Sequence, residues 1–267
     1  MADGKDAMEK GEYVIGIAII LAALLVSATV WISAGNLEKA MGKISVSAPT
    51  AAQPTQAAQP TQAAQPTQAA ASGDWSFIAD DPGIGPAGSK AVLIEFSDFQ
   101  CPYCAIAYGR EFGGTSFTDE RGTAKKFIDE YAKTGKARFV YAPVAFFGRE
   151  SADAANAAYC AREIGGDEGF FKMHDKLFDV HNGQENVGTY SKDNLKKYGA
   201  DIGYNTSAFV SCIDSDKFVS LVVKNTQDAQ AVGVTGTPNY ALNNRLMQAG
   251  IIPYSTIKAA VDAALAG

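Results

Sequence analysis

The stretch "IEFSDFQCPYCAIAYGREF", residues 94–112, holds two cysteines, Cys101 and Cys104, with two residues between them. The apolar run just before them, "AVLIEFS" at residues 91–97, predicts a strand that is buried on both faces. The residues after it predict a helix from about Cys104, with Pro102 suited to the first turn. A Cys-x-x-Cys pair at such a junction is typical of a redox dithiol, half of a zinc site or a structural disulfide.

Composition limits the classes of function. The chain has 267 residues, of which 47% are hydrophobic and 19% charged, so it can build one medium-sized core plus additional segments. The net charge is −6 and the isoelectric point is about 5.0. We therefore expect no nucleic-acid partner, because such partners select for clustered basic residues.

The N-terminal part contains a long uncharged segment, "VIGIAIILAALLVSATVWISA", at residues 14–34. Its length matches the ~20 residues that a helix needs to cross a bilayer. It predicts a single membrane anchor after a cytoplasmic tail at residues 1–13. A cleaved signal peptide is the alternative, but the apolar run is longer than a usual signal core. Two lysines on each side leave the orientation undecided by charge, so the cytoplasmic placement of the tail follows from the extracytoplasmic function expected below.

A low-complexity segment follows the predicted anchor. Residues 51–70 read "AAQPTQAAQPTQAAQPTQAA", with no aromatic or large aliphatic side chain to bury. The repeated prolines favour extended geometry and interrupt helices. Residues 35–74 therefore predict a flexible linker between the membrane and a globular domain at residues 75–267.

The globular part predicts a defined order of elements. Residues 123–133 predict a helix, and "ARFVYAPVAF" at residues 137–146 predicts a second strand. Helical patterns then fill a block that ends with a long amphipathic helix at about 216–232. The stretch "TPNYALNNRLMQAG" at residues 237–250 predicts two strands joined at Asn243-Asn244, and a last helix starts near Tyr254. The order is βαβ, a helical block, then ββα.

Two regions now carry a resemblance. "DDPGIGPAGSKAVLIEFSDFQCPYC" at residues 80–104 and "AVGVTGTPNYALNNRLMQAG" at residues 231–250 resemble the signature regions of the DsbA-like thiol-disulfide oxidoreductases. The resemblance covers residues 80–265. It implies an α/β thioredoxin fold with an inserted helical subdomain at about 145–225.

The resemblance assigns roles to the motif residues. Cys101 would be the attacking sulfur, because a helix N-terminus stabilises a thiolate. Cys104 would resolve the mixed disulfide formed with a client. The family has a cis proline at the position of Pro238. The implied client-binding residues are Thr237, Pro238, Pro102 and Tyr103.

The resemblance also suggests a role for Glu95. Several thioredoxin-fold proteins keep a buried acid beneath the dithiol, and alternation along the strand points Glu95 that way. A buried carboxyl group with a raised pKa could exchange a proton with Cys104. The alternative is a side chain that faces solvent at a sheet edge.

The other two cysteines and the two histidines lie in the helical block. Cys160 and Cys212 are expected to form a structural disulfide, with buried free thiols as the alternative. Each stands alone in a helical pattern, which disfavours a zinc site with the first pair. His174 and His181, seven residues apart, could share one helix face, and we assign them no catalytic role.

The sequence thus predicts a membrane-tethered oxidase on the extracytoplasmic side that donates a disulfide to reduced or unfolded client proteins. An oxidant must be recharged, so the expected membrane partner is a quinone-linked reoxidase of the DsbB or vitamin K epoxide reductase type. No metal or cofactor is expected. The alternatives are a tethered reductase or isomerase, and a peptide-binding chaperone module.

Overall fold

The computed structural model describes residues 74–112, 117 and 120–267. The predicted anchor at residues 14–34 and nearly all of the predicted linker lie outside the described residues. Within the described ranges, no helix combines the length and the apolar character that a membrane span requires.

The fold is built on one five-stranded sheet. Its strands are β1 (Gly83–Ile84), β2 (Val92–Ser97), β3 (Arg138–Pro143), β4 (Asn239–Leu242) and β5 (Arg245–Leu246). The spatial order is β1-β3-β2-β4-β5, and β2 and β3 run parallel while every other pair is antiparallel. The strand that leads into the cysteine motif is therefore central, with neighbours on both edges.

Helices pack around this sheet and fill the connection between β3 and β4. In chain order they are α1 (Pro102–Ala107), α2 (Thr123–Phe127) with a π-helix (Ile128–Ala132), α3 (Arg149–Asp179), α4 (Lys192–Asp201), α5 (Ser207–Asp214), α6 (Val219–Ala231) and α7 (Tyr254–Ala266). The predicted order of βαβ, helical block and ββα is confirmed, and so is a thioredoxin-like α/β fold with a helical insertion.

The two faces of β2 bury different side chains. Leu93 belongs to the larger core cluster, which includes residues of α1, α3 and α7, and Glu95 follows it on the same face by alternation. Ile94 and Phe96 join the second cluster, with Trp75 and Ala229. Full burial of each large apolar side chain contributes about 1.5–3 kcal/mol to folding. The carboxyl group of Glu95 therefore lies in the interior of the larger core.

Several boundaries differ from the sequence-based expectations. The first helix begins at Pro102, two residues before the predicted start, because Cys101 is extended and acts as its N-cap. The helix expected from about residue 216 begins at Val219, since Asp216 has a positive φ of 55° that ends helical geometry. α3 is broken at Gly166, where φ is 63°. The short edge strand β1 has only two residues and was not predicted.

Candidate active site

The two motif cysteines lie at the start of α1, directly beyond the end of β2. The backbone N–H of Cys101 donates to the carbonyl oxygen of Asp98 at 3.0 Å, which holds the turn between strand and helix. Both are free thiols. Cys101 is 2% exposed and Cys104 is fully buried, so an incoming thiolate has access only to Cys101.

The two thiols have opposite pKa shifts. The Cys104 thiol is the largest cause that lowers the pKa of Cys101, and the Thr237 side chain and the backbone N–H of Cys104 add to it, while burial opposes them. Burial raises the pKa of Cys104 well above its usual range. The sequence analysis attributed the lowered pKa of Cys101 to the N-terminus of the helix, which has six residues, and the structure adds the Cys104 thiol as a cause. Cys101 is thus the better thiolate of the pair.

The loop before β4 approaches the dithiol. Antiparallel pairing puts Asn239 opposite Phe96, so the preceding Pro238 reaches the end of β2 where the motif begins. The Thr237-Pro238 peptide bond is cis. The Sγ of Cys101 donates to the carbonyl oxygen of Thr237 at 3.3 Å. The sheet therefore brings the predicted client-binding loop against the attacking sulfur.

The other two predicted client-binding residues belong to α1. Pro102 is its first residue and is partly buried. Tyr103 is 52% exposed, and its ring packs edge-on against Phe117 with centroids 5.9 Å apart. An exposed aromatic ring beside the dithiol offers apolar surface to a peptide.

Glu95 is fully buried on the central strand. It lies opposite Tyr141 on β3 and opposite Tyr240 on β4. Burial raises its pKa to about 8, which the nearby hydroxyls of Ser97 and Tyr108 only partly offset. The solvent-facing alternative at a sheet edge is wrong, because β2 has neighbours on both sides.

Asp98 is a site residue that the sequence analysis did not single out. It is fully buried, and its carboxylate accepts backbone N–H groups of Gln100 at 2.8 Å, Phe146 at 2.7 Å and Phe147 at 3.2 Å. Burial raises its pKa to about 6. Asp98 thereby connects the cysteine turn to the loop after β3. The feature of the sequence that could have identified it is its position three residues before Cys101.

The histidines do not share a helix face. His174 lies within α3, whereas His181 lies beyond the helix end. The Nδ1 of His181 accepts the N–H of Gly183 at 2.9 Å, so the proton is on Nε2, which donates to the carbonyl oxygen of Gln100 at 2.9 Å. His181 thereby supports the residue next to Cys101, a contact that local sequence spacing does not reveal.

Cys160 on α3 and Cys212 on α5 are joined by a disulfide. The bond lies within the helical insertion and links two of its helices. Across the described ranges, no group of three or more histidine, cysteine, aspartate and glutamate side chains is arranged to hold a metal ion.

Comparisons with known proteins agree with this geometry. A family model described as "Thioredoxin" matches residues 79–263. Disulfide bond formation protein D of Bacillus subtilis is 26% identical over 207 residues, covering 74% of this chain and 82% of that protein. A putative protein-disulfide oxidoreductase of Rickettsia conorii is 27% identical over 190 residues, covering 70% of this chain and 61% of the relative, less than two thirds of its length.

A solved structure shows the same fold. The crystal structure of oxidised BdbD from Bacillus subtilis superposes with a TM-score of 0.58 at 21% identity, covering 70% of this chain and 94% of that chain. The family match spans well over half of the sequence, and the two curated relatives are named as a disulfide bond formation protein and a putative protein-disulfide oxidoreductase. The chain therefore belongs to the thioredoxin family, among its DsbA-like thiol-disulfide oxidoreductases.

Proposed function

We propose that the protein is an extracytoplasmic oxidase that donates its Cys101–Cys104 disulfide to reduced client proteins. The position of Cys101 at the start of α1, with the Thr237 carbonyl oxygen against its Sγ, carries this direction, because the pKa of Cys101 is lowered there while burial raises that of Cys104. A stabilised Cys101 thiolate favours the reduced form, which makes the disulfide a stronger oxidant. The name of the Bacillus relative, a disulfide bond formation protein, supports the same direction.

The proposed reaction has two exchange steps. A client thiolate attacks Cys101 Sγ, which forms a mixed disulfide and breaks the Cys101–Cys104 bond, and Cys104 leaves as a thiolate that takes a proton from Glu95. A second client thiolate then attacks the client sulfur and releases Cys101 as a thiolate. The client loses two electrons and two protons. The protein dithiol gains the electrons and one proton, and the other proton goes to solvent.

We assign client binding to Thr237 and Pro238 on one side of Cys101 and to Pro102 and Tyr103 on the other. The 3.3 Å approach of the Thr237 carbonyl oxygen to Cys101 and the exposure of Tyr103 support this role. A client in extended conformation could pair with backbone groups of the loop while its apolar side chains contact the tyrosine ring.

The proposed location is outside the cytoplasm, with residues 14–34 as a membrane anchor. Disulfides persist in oxidising compartments, and the Cys160–Cys212 bond is consistent with such a compartment. The dithiol left after each client oxidation must be recharged. We therefore propose a quinone-linked partner in the same membrane, of the DsbB or vitamin K epoxide reductase type.

The direction is tested by titrating the full-length protein with glutathione and then refolding a reduced client with it. An oxidase should have a potential well above the roughly −270 mV of thioredoxin and should oxidise the client. A potential near that of thioredoxin, with no client oxidation, would make the protein a reductase. Serine at both Cys101 and Cys104 should abolish activity, whereas a chaperone would keep its protection of the client.

A further inference from the structure

A cluster of buried polar side chains lies beneath the dithiol. Across the sheet, Glu95 of β2 is flanked in register by Tyr141 of β3 and Tyr240 of β4. Ser97, two residues further along β2, shares their face, and Tyr108 follows the end of α1. With His174 from α3, these side chains form what we call the buried polar cluster: Glu95, Ser97, Tyr108, Tyr141, Tyr240 and His174.

The polar atoms of this cluster do not form hydrogen bonds with one another. In the part of the chain that the structure describes, both carboxylate oxygens of Glu95, the four hydroxyl oxygens and His174 Nε2 are buried without a hydrogen-bond partner. Buried polar atoms are nearly always bonded to protein or to ordered water. The two carboxyl oxygens and the five polar atoms around them therefore point to bridging water molecules as their partners.

The cluster extends from the dithiol toward a different face of the domain. The ring of His174 packs edge-on against Tyr108 and Tyr141, with centroids 4.3 and 4.7 Å apart. Its Nδ1 lies 2.9 Å from Oδ1 of Asp175, a side chain that is 72% exposed. Tyr108 and Asp175 both line a surface pocket of about 300 Å³. His174 is thus the link between the buried hydroxyls and solvent.

We infer that Glu95, Tyr108 and His174 of the buried polar cluster, joined by bridging waters, form a proton path from Glu95 to Asp175, with Tyr108 and His174 as positioning residues. Ser97, Tyr141 and Tyr240 lie beside this path and carry no proton on it. The inference rests on the proposed function, because Glu95 must exchange a proton with solvent only if Cys104 changes its protonation in each cycle. Of the groups that act on the Glu95 carboxyl group, the path leaves the thiol of Cys101 unused.

The number of protons that enter and leave this path is equal in both directions of the redox cycle. During recharging, Cys104 gives its proton to Glu95 and then attacks the mixed disulfide between Cys101 and the oxidant, which releases the oxidant thiolate. Glu95 passes the proton through water and Tyr108 to Nε2 of His174, and the Nδ1 proton leaves through Asp175. When a client is oxidised, the reverse sequence returns one proton to Cys104. The two neutral tautomers of His174 alternate with the redox state.

Phenylalanine variants test the path because they remove the polar atoms of a side chain and leave an aromatic ring in its place. Tyr108→Phe and His174→Phe interrupt it. Tyr240→Phe is the matched control. It removes an equally buried hydroxyl, but Tyr240 lies on β4, whereas the tyrosine rings that contact His174 are those of Tyr108 and Tyr141. Tyr108→Phe also keeps the test decisive if His174→Phe fails to fold.

The measurement uses the reduced full-length protein, mixed rapidly with oxidised glutathione in H₂O and in D₂O. Tyr108→Phe and His174→Phe should be oxidised about tenfold more slowly, with a larger solvent isotope effect, at an unchanged reduction potential. Tyr240→Phe should match the wild type. Wild-type rates in both path variants, or equal slowing in the control, would overturn the path. Wild-type protein that exchanges with glutathione but oxidises no client would overturn only the proposed function.

Discussion

The Sγ atom of Cys101 lies 3.3 Å from the carbonyl oxygen of Thr237, 136 residues further along the chain. The contact exists because β4 runs antiparallel beside β2 and starts where the cysteine turn begins. One strand pair therefore brings the attacking sulfur next to the loop that we propose for client binding. Changes in that loop should alter the pKa of the Cys101 thiol.

Replacement of Thr237 with valine should raise the pKa of Cys101, because the Thr237 side chain helps to lower it. Thiolate-dependent exchange near neutral pH should slow a few-fold. The ultraviolet absorbance of the thiolate, followed against pH, measures the shift. Thr237→Ser keeps the hydroxyl and serves as the control. Identical titrations of the valine and serine variants would mean that the hydroxyl has no influence.

Replacement of Glu95 with glutamine should slow the steps in which Cys104 leaves or attacks, since amide nitrogen cannot exchange a proton with it. General acid–base assistance of this kind contributes about 10²–10⁴-fold. Attack by a small thiol on Cys101 and release of Cys104 can be followed separately by rapid mixing. Unchanged rates over roughly pH 5 to 8 would remove Glu95 from the mechanism.

The same variant should change the dependence of stability on pH. The folded pKa of Glu95 is about 8 and its ordinary value is 4.5, so the folded state binds more protons than the unfolded state between these values. The free energy of unfolding of the wild type should then fall as pH rises through this window, by up to about 1.4 kcal/mol per pH unit.

Glutamine does not titrate, so the free energy of unfolding of Glu95→Gln should not fall in this way. The variant should therefore become more stable relative to the wild type as the pH approaches 8. Urea unfolding at the two ends of the window measures it. Glu168→Gln, at a side chain that is 79% exposed, is the control. A constant difference between Glu95→Gln and the wild type across the window would contradict the raised pKa.

Loss of the second disulfide should reduce stability without affecting exchange at the motif. The bond joins residues separated by 52 positions, and the chain-entropy model assigns such a loop about 4 kcal/mol. Alanine at both Cys160 and Cys212 should lower the free energy of unfolding by about that amount. Mass spectrometry of unreduced peptides from the native compartment is the direct check. Alkylatable thiols at both positions there would exclude the bond.

Protease added to intact cells or spheroplasts should cut the linker and release the globular domain, because we propose that residues 75–267 lie on the extracytoplasmic side of the membrane. Immunoblotting for the C-terminal domain measures the release, and a cytoplasmic protein that remains intact is the control. Complete protection of the linker would contradict this orientation.

Local patterns in the sequence were sufficient for much of the fold. The run at residues 91–97 predicts a buried strand because five of its seven side chains are apolar. Asn243-Asn244 predicts the hairpin because asparagine tolerates the positive φ values of 49° and 62° that the turn requires. The spacing of Cys101 and Cys104 and their strand-to-helix junction limited the pair to a redox dithiol, half of a zinc site or a structural disulfide. Each of these inferences depends on neighbours along the chain.

The environment of the dithiol was decided only by tertiary structure. Alternation along β2 indicates which face Glu95 occupies, but strand order and register decide that Tyr141 and Tyr240 flank it. The contact of Cys101 with Thr237 and the support of Gln100 by His181 likewise join residues far apart in sequence. Such pairings depend on how the elements pack against one another, so no local pattern could have predicted them.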